Sequence, residues 1–123
     1  MDLYREKILD HYKNPRNFVG DKPPYRSTHG ENPSCGDSIT MSADIKDNKI
    51  ADIKFGGEGC AIAIASASML TEKVKGMKIT KVADIDFEDI EKMLEIKVHP
   101  SRERCAMLPL TVLKKLILKE LKK

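Results

Sequence analysis

Three cysteines, Cys35, Cys60 and Cys105, carry most of the chemical potential of this 123-residue chain, and each falls where irregular backbone meets a regular element. Cys35 lies in a loop just ahead of an expected strand. Cys60 follows a glycine-rich turn at the start of an expected helix, and Cys105 follows the basic turn 101–104 at the start of the last helix. A thiolate at a helix N-terminus faces unpaired backbone amides, which lower its pKa and favour the form that binds metal or attacks sulfur. Asp37 stands two residues after Cys35, with Gly36 between them to let the loop close around a shared ion. Three thiolates and a carboxylate suit tetrahedral zinc, or iron in a sulfur-rich site, with the harder oxygen as the ligand most easily displaced. Their four negative charges fall to two with a dication or an oxidised 2Fe-2S core, and Arg102 and Arg104 offset part of the remainder. Spacing alone leaves open two plainer readings: each cysteine as a small buried hydrophobe, and Asp37 as a turn or cap residue in NPSCGDS.

The elements that must position these residues are legible from period and punctuation. Leu3, Ile8 with Leu9, and Tyr12 predict one apolar face of a helix over 3–13, with Asp2 as N-cap and Asn14-Pro15 as its stop. Alternation over 38–46 and again over 50–55, with Asp47-Asn48 between, predicts an antiparallel hairpin, and 25–31 is the candidate third strand. AIAIASASMLTEKV has small or apolar residues on every side and predicts a closely packed buried helix from about residue 60 to 75, ended by Gly76. A further helix is expected over 86–94. In the last helix Leu110, Leu113, Ile117 and Leu121 form a stripe, while Pro109 predicts that regular helix starts only near residue 107 or kinks. The whole chain, 1–123, reads as one domain with no internal repeat.

Composition excludes several classes. With 41% hydrophobic and 33% charged residues the chain is of the globular type, and three cysteines do not make a disulfide framework. A net charge of +3 and only three Tyr, three Phe and no Trp argue against nucleic-acid binding. No apolar run reaches membrane-spanning length and the opening lacks a secretory signal, so a cytoplasmic location with reduced thiols is expected. GGEG between strand and helix is not a dinucleotide fingerprint, because the third small position is Ile62.

Four segments in order resemble the IscU/SufU/NifU N-terminal type of iron-sulfur cluster assembly scaffold: YREKILDHYKNPRN at 4–17, NPSCGD at 32–37, GGEGCAIAIASASMLTE at 56–72 and PSRERCAML at 100–108. The resemblance implies an α+β domain, a small antiparallel three-stranded sheet with helices packed on one face, that assembles a transient 2Fe-2S cluster from iron and sulfur. It implies Cys35, Asp37, Cys60 and Cys105 as ligands. It also implies a cysteine desulfurase as sulfur donor, with Cys105 and Cys35 as candidate persulfide acceptors, and apo iron-sulfur proteins or cluster carriers as recipients. Such a protein is a scaffold rather than an enzyme, acting as monomer or homodimer.

The IscU branch carries a histidine before the third cysteine and a Leu-Pro-Pro-Val-Lys run nearby, where this chain has Arg104 and HPSRE. GCAIAIASASML and the arrangement at 100–106 look more like the SufU branch, whose members bind zinc and accept sulfur. That branch, however, has an extra segment between the second and third cysteines for which this chain leaves no room. A zinc-dependent sulfur acceptor is therefore the alternative function, and a non-catalytic module for an acidic partner, suggested by the Lys-rich end, is the second. Arg104, adjacent to Cys105, is the expected thiolate-stabilising cation. His99 is a minor candidate for the missing histidine, whereas His11 and His29 read as surface or half-buried residues.

Overall fold

The computed structural model describes residues 3–20 and 22–122. Along the chain run α1 (Leu3–Lys13), β1 (Arg26–Asn32), β2 (Asp37–Lys46), β3 (Lys49–Glu58), α2 (Ala61–Val74), α3 (Ile79–Ala83), α4 (Phe87–Leu94) and α5 (Glu103–Leu121), the last entered through a 3-10 turn at Pro100–Arg102. The strands form one antiparallel sheet in the order β1-β2-β3. Alternation does what it should: Met41 lies opposite Phe55 and Ala43 opposite Ile53, and with Ile39 these make one fully apolar face. Asp47 and Asn48 close the hairpin with φ of 53° and 61°, the left-handed pair that a two-residue turn needs to match strand twist.

β3 outlasts the expected strand because its glycines admit close backbone neighbours. A Cβ at Gly56 would lie 1.9 Å from the Gly20 carbonyl oxygen, and one at Gly57, where φ is +128°, 1.9 Å from that of Ser38. The GGEG segment is thus clamped between strands of backbone.

The helices cover the apolar face of the sheet. α5 lies on β1 and β2, α2 lies on β3 and against α5, and α1 packs on the outside of α2. Gly30 makes the seat for α5, since a Cβ there would stand 2.6 Å from Val112 Cγ2. Leu110, Leu113, Leu116 and Ile117 of α5 meet Leu70 of α2 and Ile90 and Leu94 of α4 in the core, each side chain contributing about 1.5–3 kcal/mol by leaving water. α4 begins with a reciprocal capping box between Asp86 and Asp89.

Several expectations need correction. In α1, Ile8 is buried but Leu9 and Tyr12 are exposed, and the second buried position is His11. Leu121 is exposed, so the α5 stripe ends a turn earlier. Pro109 lies inside a helix that starts six residues before it, at Glu103, without stopping it. Proline removes only the amide that would bond the carbonyl four residues back, here that of Cys105, and packing of the whole helix outweighs that loss. α3 was not anticipated, and the proposed cap Asp2 lies outside the described residues. No described helix is long and apolar enough to cross a membrane.

Candidate metal centre

The sheet end where β1 turns into β2, the start of α2 and the start of α5 meet at one place. The connection 33–36 is a tight turn in which the Cys35 amide donates to the Asn32 carbonyl and Gly36 takes a φ of +70°. It leaves Cys35 half-buried and delivers Asp37 as the first residue of β2, on the inner face and 1% exposed. Cys60 is the N-cap residue of α2. Its side chain makes no capping bond; the Asp37 Oδ1 accepts from its backbone amide instead, at 2.9 Å. Gly59 permits that contact, as a Cβ there would fall 2.6 Å from Asp37 Oδ1. Cys105, third residue of α5, is fully buried.

The thiols of Cys35 and Cys105 and a carboxylate oxygen of Asp37 all lie within 4.8 Å of one another. Cys60 stands outside this tightest group and is joined to it through its backbone amide on Asp37. Burial, and then contacts with Cys35, Asp37 and Cys60, push the Cys105 thiol well above its ordinary pKa. The cause is physical: burial and the neighbouring acidic groups favour the protonated thiol and outweigh the lowering expected at a helix N-terminus. A divalent metal held by these residues would supply the positive charge that favours the thiolate, with release of the proton. The donor set of sulfurs and one carboxylate fits zinc or iron, and the charge of a bound metal relieves the crowding that the residues impose on each other.

The cation facing these sulfurs is Arg102. It is exposed, and its pKa is raised by a hydrogen bond to Cys105 and by attraction to Cys60, Cys105 and Cys35. Arg104, expected in that place, lines a cleft of about 270 Å³ with Glu31, Pro33, Met107 and Thr111. Helical spacing explains the difference: Arg102 is three residues before Cys105 and shares its face, whereas an adjacent residue points about 100° away. His99 caps the 3-10 turn, accepting the Ser101 amide on Nδ1 at 3.1 Å, and lies outside the group of metal-ligating type. His29 sits on the open face of the sheet beside Thr40.

Asn32 was missed by sequence reasoning. It is 5% exposed, lies opposite Asp37 in the β1–β2 register, and its amide donates to Asp37 and Cys105. The signal was available: a polar residue at the inner-facing end of a strand, five before the carboxylate it pairs with.

The NifU-like N-terminal domain sequence model matches residues 3–123. The chain is 37% identical over 135 aligned positions to a Bacillus subtilis protein named zinc-dependent sulfurtransferase SufU, covering 96% of this chain and 91% of that one. The alignment is longer than the chain, so that relative carries residues absent here. It is 42% identical over 106 residues to the Haemophilus influenzae iron-sulfur cluster assembly scaffold protein IscU, covering 80% of this chain and 83% of that protein. A crystal structure of a putative iron-sulfur cluster assembly scaffold protein for the SUF system from Fervidobacterium islandicum superposes with a TM-score of 0.68 at 28% identity, covering 89% of this chain and 93% of that one.

Proposed function

Given that the chain belongs to the NifU-like N-terminal domain family, we propose that it is a scaffold on which a 2Fe-2S cluster is assembled and from which it is passed on. The observation that carries this reading is the convergence of Cys35, Asp37 and Cys105 within 4.8 Å, with the Cys60 amide bonded to Asp37. Cys35, Asp37, Cys60 and Cys105 hold the cargo. Asp37 is the oxygen among sulfurs and the ligand that lets go first. Sulfur arrives from a cysteine desulfurase: a thiolate of Cys35 or Cys105 attacks the outer sulfur of the donor's persulfide and displaces the donor's thiolate, so one sulfur moves and no electrons are gained or lost overall. Arg102 stabilises the attacking thiolate through its contact with Cys105. Recipients are apo iron-sulfur proteins or carriers, in the reducing cytoplasm.

The identity to the B. subtilis SufU protein over nearly the whole chain favours a second reading, in which the same four residues hold zinc and one cysteine leaves the metal to take sulfur. Anaerobic purification, metal and acid-labile sulfide analysis, and visible spectra before and after reconstitution with iron and sulfide separate the two. Charge-transfer bands with about equal iron and sulfide, lost in cysteine variants, are the expected result for the scaffold. One tightly held zinc with no cluster under any condition establishes sulfur transfer instead. Neither metal nor cluster leaves only an interaction module.

A further inference from the structure

Asn32 ends β1 facing inward, and its Nδ2 lies 3.4 Å from Asp37 Oδ2 and 3.8 Å from Cys105 Sγ. An amide nitrogen has two hydrogens, one available to each of these two acceptors. The other oxygen of Asp37 is held by the Cys60 amide, so the carboxylate is gripped from two sides by donors on different elements. A donor shared between a carboxylate and a thiolate lessens their mutual repulsion, fixes their separation and draws charge from the sulfur. Glu31, the preceding residue on β1, cannot do this, because successive strand residues point to opposite faces.

We propose that Asn32 is a positioning residue of the centre, a single side-chain amide that holds the Asp37 carboxylate and the Cys105 sulfur together and sets how fast a bound metal is released. This rests on the reading of Cys35, Asp37, Cys60 and Cys105 as ligands. Outer groups that hydrogen-bond to ligands typically change metal affinity by about 10–100-fold when removed.

The test compares wild type with Asn32→Leu, which has the same branching but lacks the donor. Each is loaded with zinc for release to an excess of chelator, and with cobalt for its sulfur-to-metal charge-transfer band. Release faster by about tenfold or more, with a displaced cobalt band, is expected for the variant. A packing role alone would lower the melting temperature of the metal-free variant and leave release rate and cobalt band as in wild type, which overturns the proposal. Should the variant not fold, NMR of the cadmium-loaded wild type decides: the Asn32 amide protons show scalar coupling to the metal through the Cys105 sulfur, and absence of coupling overturns the proposal. Failure of the wild type itself to bind zinc, cobalt or cadmium defeats the ligand reading, and the role of Asn32 with it; normal wild-type binding with an indifferent variant defeats the role of Asn32 alone.

Discussion

Two buried polar regions flank α2, and they are built on opposite principles. On its outer side, where α1 docks, the His11 ring nitrogen Nδ1 lies 2.7 Å from Ser68 Oγ, the Arg16 amide donates to the same hydroxyl at 2.8 Å, Asn17 donates to Thr71 Oγ1 at 3.0 Å, and Thr71 in turn donates to the Ser68 carbonyl at 2.7 Å. Donors and acceptors balance, and the arrangement is complete without anything added. At its N-terminal end, Cys35, Asp37, Cys60 and Cys105 gather four acidic groups, faced among the described residues by the Asn32 side-chain amide, the Cys60 backbone amide and the Arg102 guanidinium. Balance marks a seam that holds the fold; surplus of one kind marks a place built for a visitor of the opposite kind.

The contrast breaks most decisively at Cys105. Cys105→Ala is expected to reduce zinc retention by roughly a hundredfold or more while changing metal-free stability by less than about 1 kcal/mol, because a group kept for function adds little to the fold. Chelator competition and denaturant unfolding of the same preparation measure both. Full zinc retention in this variant, or in Cys60→Ser, would remove the convergent site from consideration.

Ser68→Ala is the mirror experiment. It strands the Arg16 amide and the His11 ring, costing about 2 kcal/mol of stability with zinc affinity unaltered. A matching loss of zinc affinity would show that the two regions are not independent.

Asp37→Ala sharpens the picture of the site. Loss of the hard ligand should lengthen the lifetime of a reconstituted cluster in air, followed by bleaching of its visible bands; an unchanged or shorter lifetime counts against Asp37 as the labile position.

The smallest effect is the pH response of the seam. Burial first, then the charge of Arg16, holds the His11 pKa below its ordinary value against the opposing pull of Glu72. Between that lowered value and the ordinary imidazole value of about 6.5 the unfolded chain binds more protons than the folded one. The contribution of His11 is therefore complete above about pH 6.5 and is lost as pH falls through the lowered value. Urea midpoints against pH should show a slope in this window that His11→Gln flattens, and equal slopes in the two proteins would contradict the assignment.

Sequence alone revealed the hairpin, because it follows a period that burial enforces, as Ile39, Met41 and Ala43 do on β2. α2 was legible from its all-round apolar surface and α4 as a helix after a short acidic segment, and the third strand only as the partner that a stable sheet wants. It also showed the cysteines at the ends of elements, and those ends converge. It misread α1, where Ile8 and His11 form one face and Leu9 and Tyr12 the next: the surface of α2 that receives α1 presents Ser68 and Thr71, so the docked face is partly polar and apolar pattern points elsewhere. Asn32 escaped for another reason, and Arg102 was read only as one of two arginines offsetting the charge of the site, with Arg104 placed beside the thiol. Their roles depend on where a helix begins and how two strands register, and an error of one residue in either exchanges the residue that faces the site for its neighbour.

Pro109 bears on how Cys105 is carried. In an α-helix whose N-cap is Arg102, the amides of Ala106, Met107 and Leu108 close the opening turn before the proline interrupts the ladder, and the Ser66 hydroxyl donates to the Ala106 carbonyl from α2. From Leu110 onward the ladder resumes beneath fully buried leucines. The thiol-bearing turn thus has a shorter ladder than the remainder of the helix, and it is expected to open ahead of it. Amide hydrogen exchange should report it as a step: the amides of Met107 and Leu108 exchange early, and those of Leu113 and Leu116 persist until the whole molecule unfolds.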